Sequence, residues 1–355
     1  MAAAVFDHPF LSGLLGDEQV ATHFSADADI AAMLAFEKAL AQAEAEEGII
    51  DVETADAIAQ ACDTFAPDMA ALRTATARDG VVVPELVRQL RKAIGAPHDD
   101  RLHRGATSQD VIDTSLSLRL KPALAILHER LGSLVTALTG LEQRHGPEPL
   151  MGRTRMQAAI PISVGDRVKT WRRPLERRID ELPRITDSAC RLQFGGPVGT
   201  LDKLGTKGPT IRRRLAALLD LPVIDEAWHS QRDGMVELSD WLSLVTGSLG
   251  KLGQDVALMA QNGIDEIALS GGGGSSAMAH KHNPVRAEML VTLARFNAVQ
   301  VSAMHQVMVH EQERSGATWA LEWMILPQMV VATAAALRTA IDLAASVQRI
   351  GSASR

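Results

Sequence analysis

The stretch "DVIDTSLSLRLKPALAILHERLGSLVTALTGLEQRHG", residues 110–146, decides the fold. Its apolar residues return every three or four positions, the spacing of one helical face. A helix of roughly 35 residues is about 50 Å long, far beyond the usual three or four turns. The single internal proline, Pro122, predicts a kink and not an end, because the pattern resumes directly after it.

Four more long periodic stretches follow. They cover about 158–191, with Pro174 and Pro183 inside, about 233–262, ending at Asn262-Gly263, Asn283-Pro284 to about 312, and about 317–348. Gly247, Gly250 and Gly253 lie three apart on the third of the five, which predicts close approach of another helix. Upstream, 27–47 reads as an amphipathic helix with Asp27 or Asp29 as cap and Gly48 as its end. Shorter helical pieces are then broken near Pro67, Gly80, Pro84 and Gly95-Ala-Pro97, and the polar "PHDDRLHR" of 97–104 marks a boundary. The expectation is an all-α chain: a smaller helical N-terminal domain over 1–102 and an elongated bundle of about five long helices over 103–349. Helices apolar around much of their girth predict burial by other subunits.

Composition agrees. Of 355 residues 46% are hydrophobic and 22% charged, while only 3% are aromatic and none is tyrosine, a balance that favours helices over sheets. The net charge of −7 argues against nucleic-acid binding, and it requires locally placed cations wherever an anion binds. Cys62 and Cys190 make neither a disulfide framework nor a zinc site, which fits a reducing compartment. The N-terminus has no basic segment before its short apolar run, and no stretch approaches the roughly 20 uncharged apolar residues that span a bilayer. A cytoplasmic protein without membrane contact is expected.

Three polar clusters stand out. In "HRGATSQDVIDT" (103–114) a helix cap at Ser108 or Asp110 accounts for one or two residues, but not for His103, Arg104, Thr107 and Gln109 in the same turn. Free N–H groups and hydroxyls at a helix start also suit an anion. In "MGRTRMQAAIPISVGDR" (151–167), Arg153 and Arg155 flank Thr154, with Gln157 beyond, several donors for a carboxylate. The third is "SGGGGSSAMAHKHNPVRAEM" (270–289). A flexible spacer should lead to a new domain or a polar tail, yet here Asn283 and Pro284 can start another long helix of the same bundle. Lys281 between His280 and His282 would repel a cation, so no metal is expected. Glycine amides can instead stabilise a developing negative charge, and glycine hinges allow closure over a ligand.

These clusters, in this order, resemble the three motif regions of the fumarase/aspartase superfamily. "GGSSAMAHKHNPVRAE" is similar to its signature loop G-S-S-x-M-x-x-K-x-N-P, and "QFGGPVGT" (193–200) and "ERSGATWALEW" (313–323) extend the likeness over most of the chain. The resemblance implies a helical homotetramer with active sites shared between subunits. It implies removal of a proton α to a carboxylate with loss of a β leaving group, or the reverse addition to C=C, without a cofactor. Ser275 takes the place of the general base, and Lys281 and Asn283 match positions that hold substrate carboxylate, with Ser276 beside them. His103, a further catalytic candidate, matches the first region together with Thr107 and Ser108, and Thr154 and Gln157 match the second. Arg104, Arg153, Arg155 and Arg314 add cations. The segments "AHKHNP", "QFGGPVGT" and "TWALEW" look most like the cycloisomerase branch, which implies a small tricarboxylate substrate. Two departures matter. Arg155 stands where the lyase members carry a histidine for proton transfer, and an arginine cannot act as general acid near neutral pH. The small C-terminal domain of relatives is also expected to be missing.

Overall fold

The structure, a computed structural model, describes residues 4–274, 278 and 282–352. After two single-turn helices comes an N-terminal layer of four: α1 (Ala26–Glu46), α2 (Val52–Thr64), α3 (Met69–Asp79) and α4 (Val83–Ile94). Ser25, not Asp27 or Asp29, caps α1 by accepting from the Ala28 N–H. The expected long helix is α5 (Ser108–His145). It runs through Pro122 without interruption because eight leucines, from Leu116 to Leu141, keep one stripe buried against the rest of the bundle. The other bundle helices are α6 (Val164–Ala189), α8 (Asp233–Met259), α9 (Val285–Val307) and α10 (Ala317–Ala345). A shorter helix, α7 (Gly208–Leu218), belongs to the N-terminal layer.

The second long helix starts later than its periodicity predicts. Residues Pro149–Thr154 (β1) and Gln157–Ser163 (β2) pair antiparallel instead. Arg155 and Met156, both at positive φ, form the two-residue turn between Thr154 and Gln157, the geometry that matches the twist of a hairpin. Ser163 then caps α6 by accepting from the Asp166 N–H. At the far end of the chain Val347–Ile350 is also extended and pairs antiparallel with Ile267–Leu269, so α10 stops at Ala345.

Two cores hold the molecule. The larger is the bundle interior; α10 supplies Val330, Ala332, Ala334, Ala335, Ala336 and Leu337, all wholly buried. Among the described residues α10 alone is long and apolar enough to cross a bilayer, and it occupies the position of a core helix. The smaller core lies between α1–α4 and the start of α5, and it also draws on Leu192, Phe194, Leu201, Ile211, Leu215 and Trp319. Residues 1–102 therefore do not close a core alone. On α8 the glycines act as expected at two of three positions. A Cβ at Gly250 would lie 2.6 Å from the Ala294 side chain, and one at Gly253 2.5 Å from the Ala287 carbonyl, so α9 packs against bare backbone there. Gly247 meets nothing within 4 Å.

Candidate active site

At the N-terminus of α5 the backbone turns sharply: His103 and Gly105 both take positive φ. The N-cap is Thr107, not Ser108 or Asp110; Ser108 is the first helical residue. Asp110 serves differently. Its carboxylate is wholly buried and accepts from the Thr107 N–H at 3.0 Å, from the Gly195 and Gly196 N–H groups at 2.9 Å each, and from His229 Nε2 at 2.8 Å. One side chain thus ties the first motif to the 193–200 segment.

One helical turn on, Asp113 anchors a second buried network. It accepts from Arg232 at 2.8 and 3.3 Å, from Trp319 Nε1 at 3.0 Å and from Gln193 Nε2 at 3.3 Å. Arg232 also donates to Glu322 at 2.5 and 3.0 Å, and its guanidinium lies 4.6 Å from the Trp228 ring centre. Burial disfavours charge on Arg232, but Asp113 and Glu322 outweigh it and hold the guanidinium protonated. The arginine locks the start of α8 to α5 and α10.

The last motif closes on the first. Arg314 donates to Thr107 Oγ1 at 3.1 Å and to the Pro197 carbonyl at 3.0 Å. Nearby, neither ring nitrogen of His310 has a partner among the described residues, and burial together with Arg232 holds its pKa below the ordinary histidine value. His103 Nδ1 meets Glu37 Oε1 of α1 at 2.6 Å. Arg104 lies close enough to Glu44, also of α1, to oppose the effect of burial on that carboxyl.

The remaining candidates gather elsewhere. Thr154, Arg155 and Gln157 are exposed at the tip of the β1–β2 hairpin. Arg153 is engaged internally, donating to the buried Glu266 at 2.5 Å. Asn283 pairs with Gly273 in a short antiparallel ladder, and Pro284, not Asn283, is the N-cap of α9. The expected capping by Asn283 fails because the chain stays extended up to the proline, which favours that conformation in the residue before it. A cavity of about 610 Å³ opens beside this ladder, lined by Asn262, Leu269, Gly271, Gly273, Asn283 and Arg286 among others. Ser275, Ser276, His280 and Lys281 lie outside the described residues.

The candidates thus fall into two groups. His103, Arg104, Thr107, Ser108 and Arg314 cluster at the start of α5, whereas the hairpin begins four residues beyond its end. Between them runs α5, whose 38 residues span about 57 Å. Asn283 belongs with the hairpin end, since Glu266, just before the glycine loop, binds Arg153. Glu37, Asp113, His229, Arg232 and Glu322 carry no sequence signal for this role. Their partners lie 66 to 206 residues away, and only the fold brings them together. Among the described residues no group of three or more His, Cys, Asp or Glu could hold a metal ion.

A long-helix bundle whose polar motifs sit at helix ends, rich in donors for carboxylates, defines the scaffold of a lyase-type enzyme. The chain belongs to the lyase family whose model matches residues 15–300. It is 38% identical over 326 residues to a 3-carboxy-cis,cis-muconate cycloisomerase of Pseudomonas aeruginosa, covering 90% of this chain and 71% of that one. A cycloisomerase of the same name from Pseudomonas putida is 38% identical over 92% of this chain and 78% of its own. The crystal structure of the 3-carboxy-cis,cis-muconate lactonizing enzyme from Pseudomonas putida superposes with a TM-score of 0.90 at 35% identity, covering 96% of this chain and 77% of that chain.

Proposed function

We propose that this protein interconverts 3-carboxy-cis,cis-muconate and 4-carboxymuconolactone, a step in the protocatechuate branch of the β-ketoadipate pathway. The observation that carries the proposal is likeness over about nine-tenths of the chain to relatives bearing that name. Arg155 at the hairpin tip supports it. A lyase that expels a separate leaving group benefits from a proton donor there, and arginine offers none. In lactone opening the leaving group is a carboxylate that stays attached and needs no proton.

In the lactonising direction a substrate carboxylate oxygen adds to one alkene carbon, and the electron pair of the double bond moves towards the carbon next to another carboxylate. The Ser275 hydroxyl gives its proton to that carbon, and solvent restores the hydroxyl. In reverse Ser275 is the base, its alkoxide stabilised by Lys281 and glycine-loop amides. Lys281, Asn283, Thr107, Ser108, Thr154, Gln157, Arg104, Arg155 and Arg314 hold the three carboxylates.

The two residue groups flank opposite ends of α5, which is about 57 Å long, so the proposed site is assembled from more than one copy. A cytoplasmic homotetramer satisfies this, because antiparallel packing brings opposite ends of long helices together. The purified protein should change the ultraviolet absorbance of 3-carboxymuconate and leave adenylosuccinate untouched. Turnover of adenylosuccinate instead would replace the assignment with the lyase reading, and no turnover of either would mark an inactive relative.

A further inference from the structure

The first motif rests on a pair of buried carboxylates. Glu37 and Glu44 lie seven residues apart on α1, two turns on the same face, and both are almost wholly inaccessible. Each keeps one carboxylate oxygen without a partner among the described residues. The other oxygen of Glu37 meets His103 Nδ1 at 2.6 Å. His103 itself is held at positive φ, a conformation that a non-glycine residue adopts at a cost and that needs support from its surroundings. Its ring stays partly exposed, and its second nitrogen has no partner among the described residues.

We propose that Glu37 is a positioning residue for His103: it fixes the Nδ1 side of the ring, so that Nε2–H of a charged imidazolium is the donor offered to a substrate carboxylate. A carboxylate behind an imidazole sets its orientation and favours the protonated ring. The charged groups that act on His103 are Glu37 on α1, Arg91 on α4 and Asp110 on α5, while Glu44 on α1 interacts with Glu37 and Arg104. Burial disfavours a charged ring, but Glu37 and Asp110 outweigh burial and Arg91, and the His103 pKa stands above the ordinary value. Burial keeps the Glu44 carboxyl protonated at neutral pH, with a pKa of about 8. The role for His103 rests on the proposed site, whereas its coupling to Glu37 can be read without substrate.

The test is the pH dependence of diethyl pyrocarbonate modification at His103, followed by mass spectrometry on the whole protein. The reagent attacks neutral imidazole. In the wild type the modification midpoint should lie above that of an ordinary histidine, and Glu37→Gln should lower it by about one pH unit or more. Glu44→Gln, which imitates a protonated carboxyl, should leave it in place. If Glu37→Gln loses its fold, Glu37→Asp keeps the charge but retracts it by one methylene, and an intermediate midpoint is expected. With 3-carboxymuconate, the basic limb of kcat/KM should move to lower pH in Glu37→Gln, which a loss of fold alone would not produce. Equal midpoints in wild type and Glu37→Gln would overturn the proposal. Absence of turnover with a shifted midpoint would count against the substrate assignment and not against the Glu37–His103 coupling.

Discussion

Arg153 donates to Glu266 at 2.5 Å, and through this ion pair the β1–β2 hairpin is joined to the base of the glycine loop. The same place collects further bonds: Gly351 donates to the Glu266 carbonyl, Ser352 to the Pro149 carbonyl, and Arg349 to the Asp265 carbonyl. The second and third motifs therefore share one anchor, sealed by the last strand. Glu266→Gln should lower kcat/KM roughly ten- to a hundredfold, since misplacement of about 1 Å costs that much in a positioned site. The accompanying stability loss should be about 1 kcal/mol. Steady-state kinetics beside thermal melting would separate the two, and unchanged kinetics would remove the anchor from any role in catalysis.

The proposed assembly of the site from several copies predicts complementation. His103→Ala and Ser275→Ala should each be nearly inactive, with Ser275→Ala melting like the wild type. Co-expressed in one oligomer, the two should recover part of the activity, because some sites then combine an intact first motif with an intact glycine loop. A mixture as inactive as its parents would mean that each site lies within one chain.

Arg232 is a cation held between two buried carboxylates, Asp113 and Glu322. Arg232→Met would leave Asp113 and Glu322 facing each other unpaired, at a cost of about 3–5 kcal/mol. Denaturant unfolding should show this as a large fall in midpoint. A fall under about 1 kcal/mol, the range of exposed pairs, would show that the network relaxes or takes up protons freely.

Glu44 predicts how stability depends on pH. Burial, with Glu37 adding and Arg104 opposing, pushes its pKa from 4.5 up to about 8. The folded chain keeps a proton there that the unfolded chain releases above 4.5, so stability falls as pH rises from about 4.5 to 8. His103, whose pKa is also raised, adds a loss of the same sign as pH rises through its folded value. Glu44→Gln should melt like the wild type near pH 4.5 and higher than it at pH 8. Equal melting temperatures at pH 8 would show that Glu44 ionises in the folded protein without cost.

The five long helices were legible in the chain because 3.6-residue periodicity over 25 to 40 residues is a local signal that tertiary context rarely overrides. The leucine stripe of α5 and two of the three close-approach glycines on α8 were readable for the same reason. The hairpin was not, since its short run of small apolar residues fits a helix as well as a strand until the positive φ of Arg155 and Met156 sets the turn. By itself the sequence determined which stretches become long helices, the order of the polar motifs and the resemblance those motifs carry. Only the tertiary structure decided that Asp110 gathers the first motif around one carboxylate, that Arg153 is taken by Glu266, and that the motifs lie at opposite ends of α5. Those outcomes depend on partners far apart in the chain, and a buried charge can be placed only once folding has brought its counter-charge beside it.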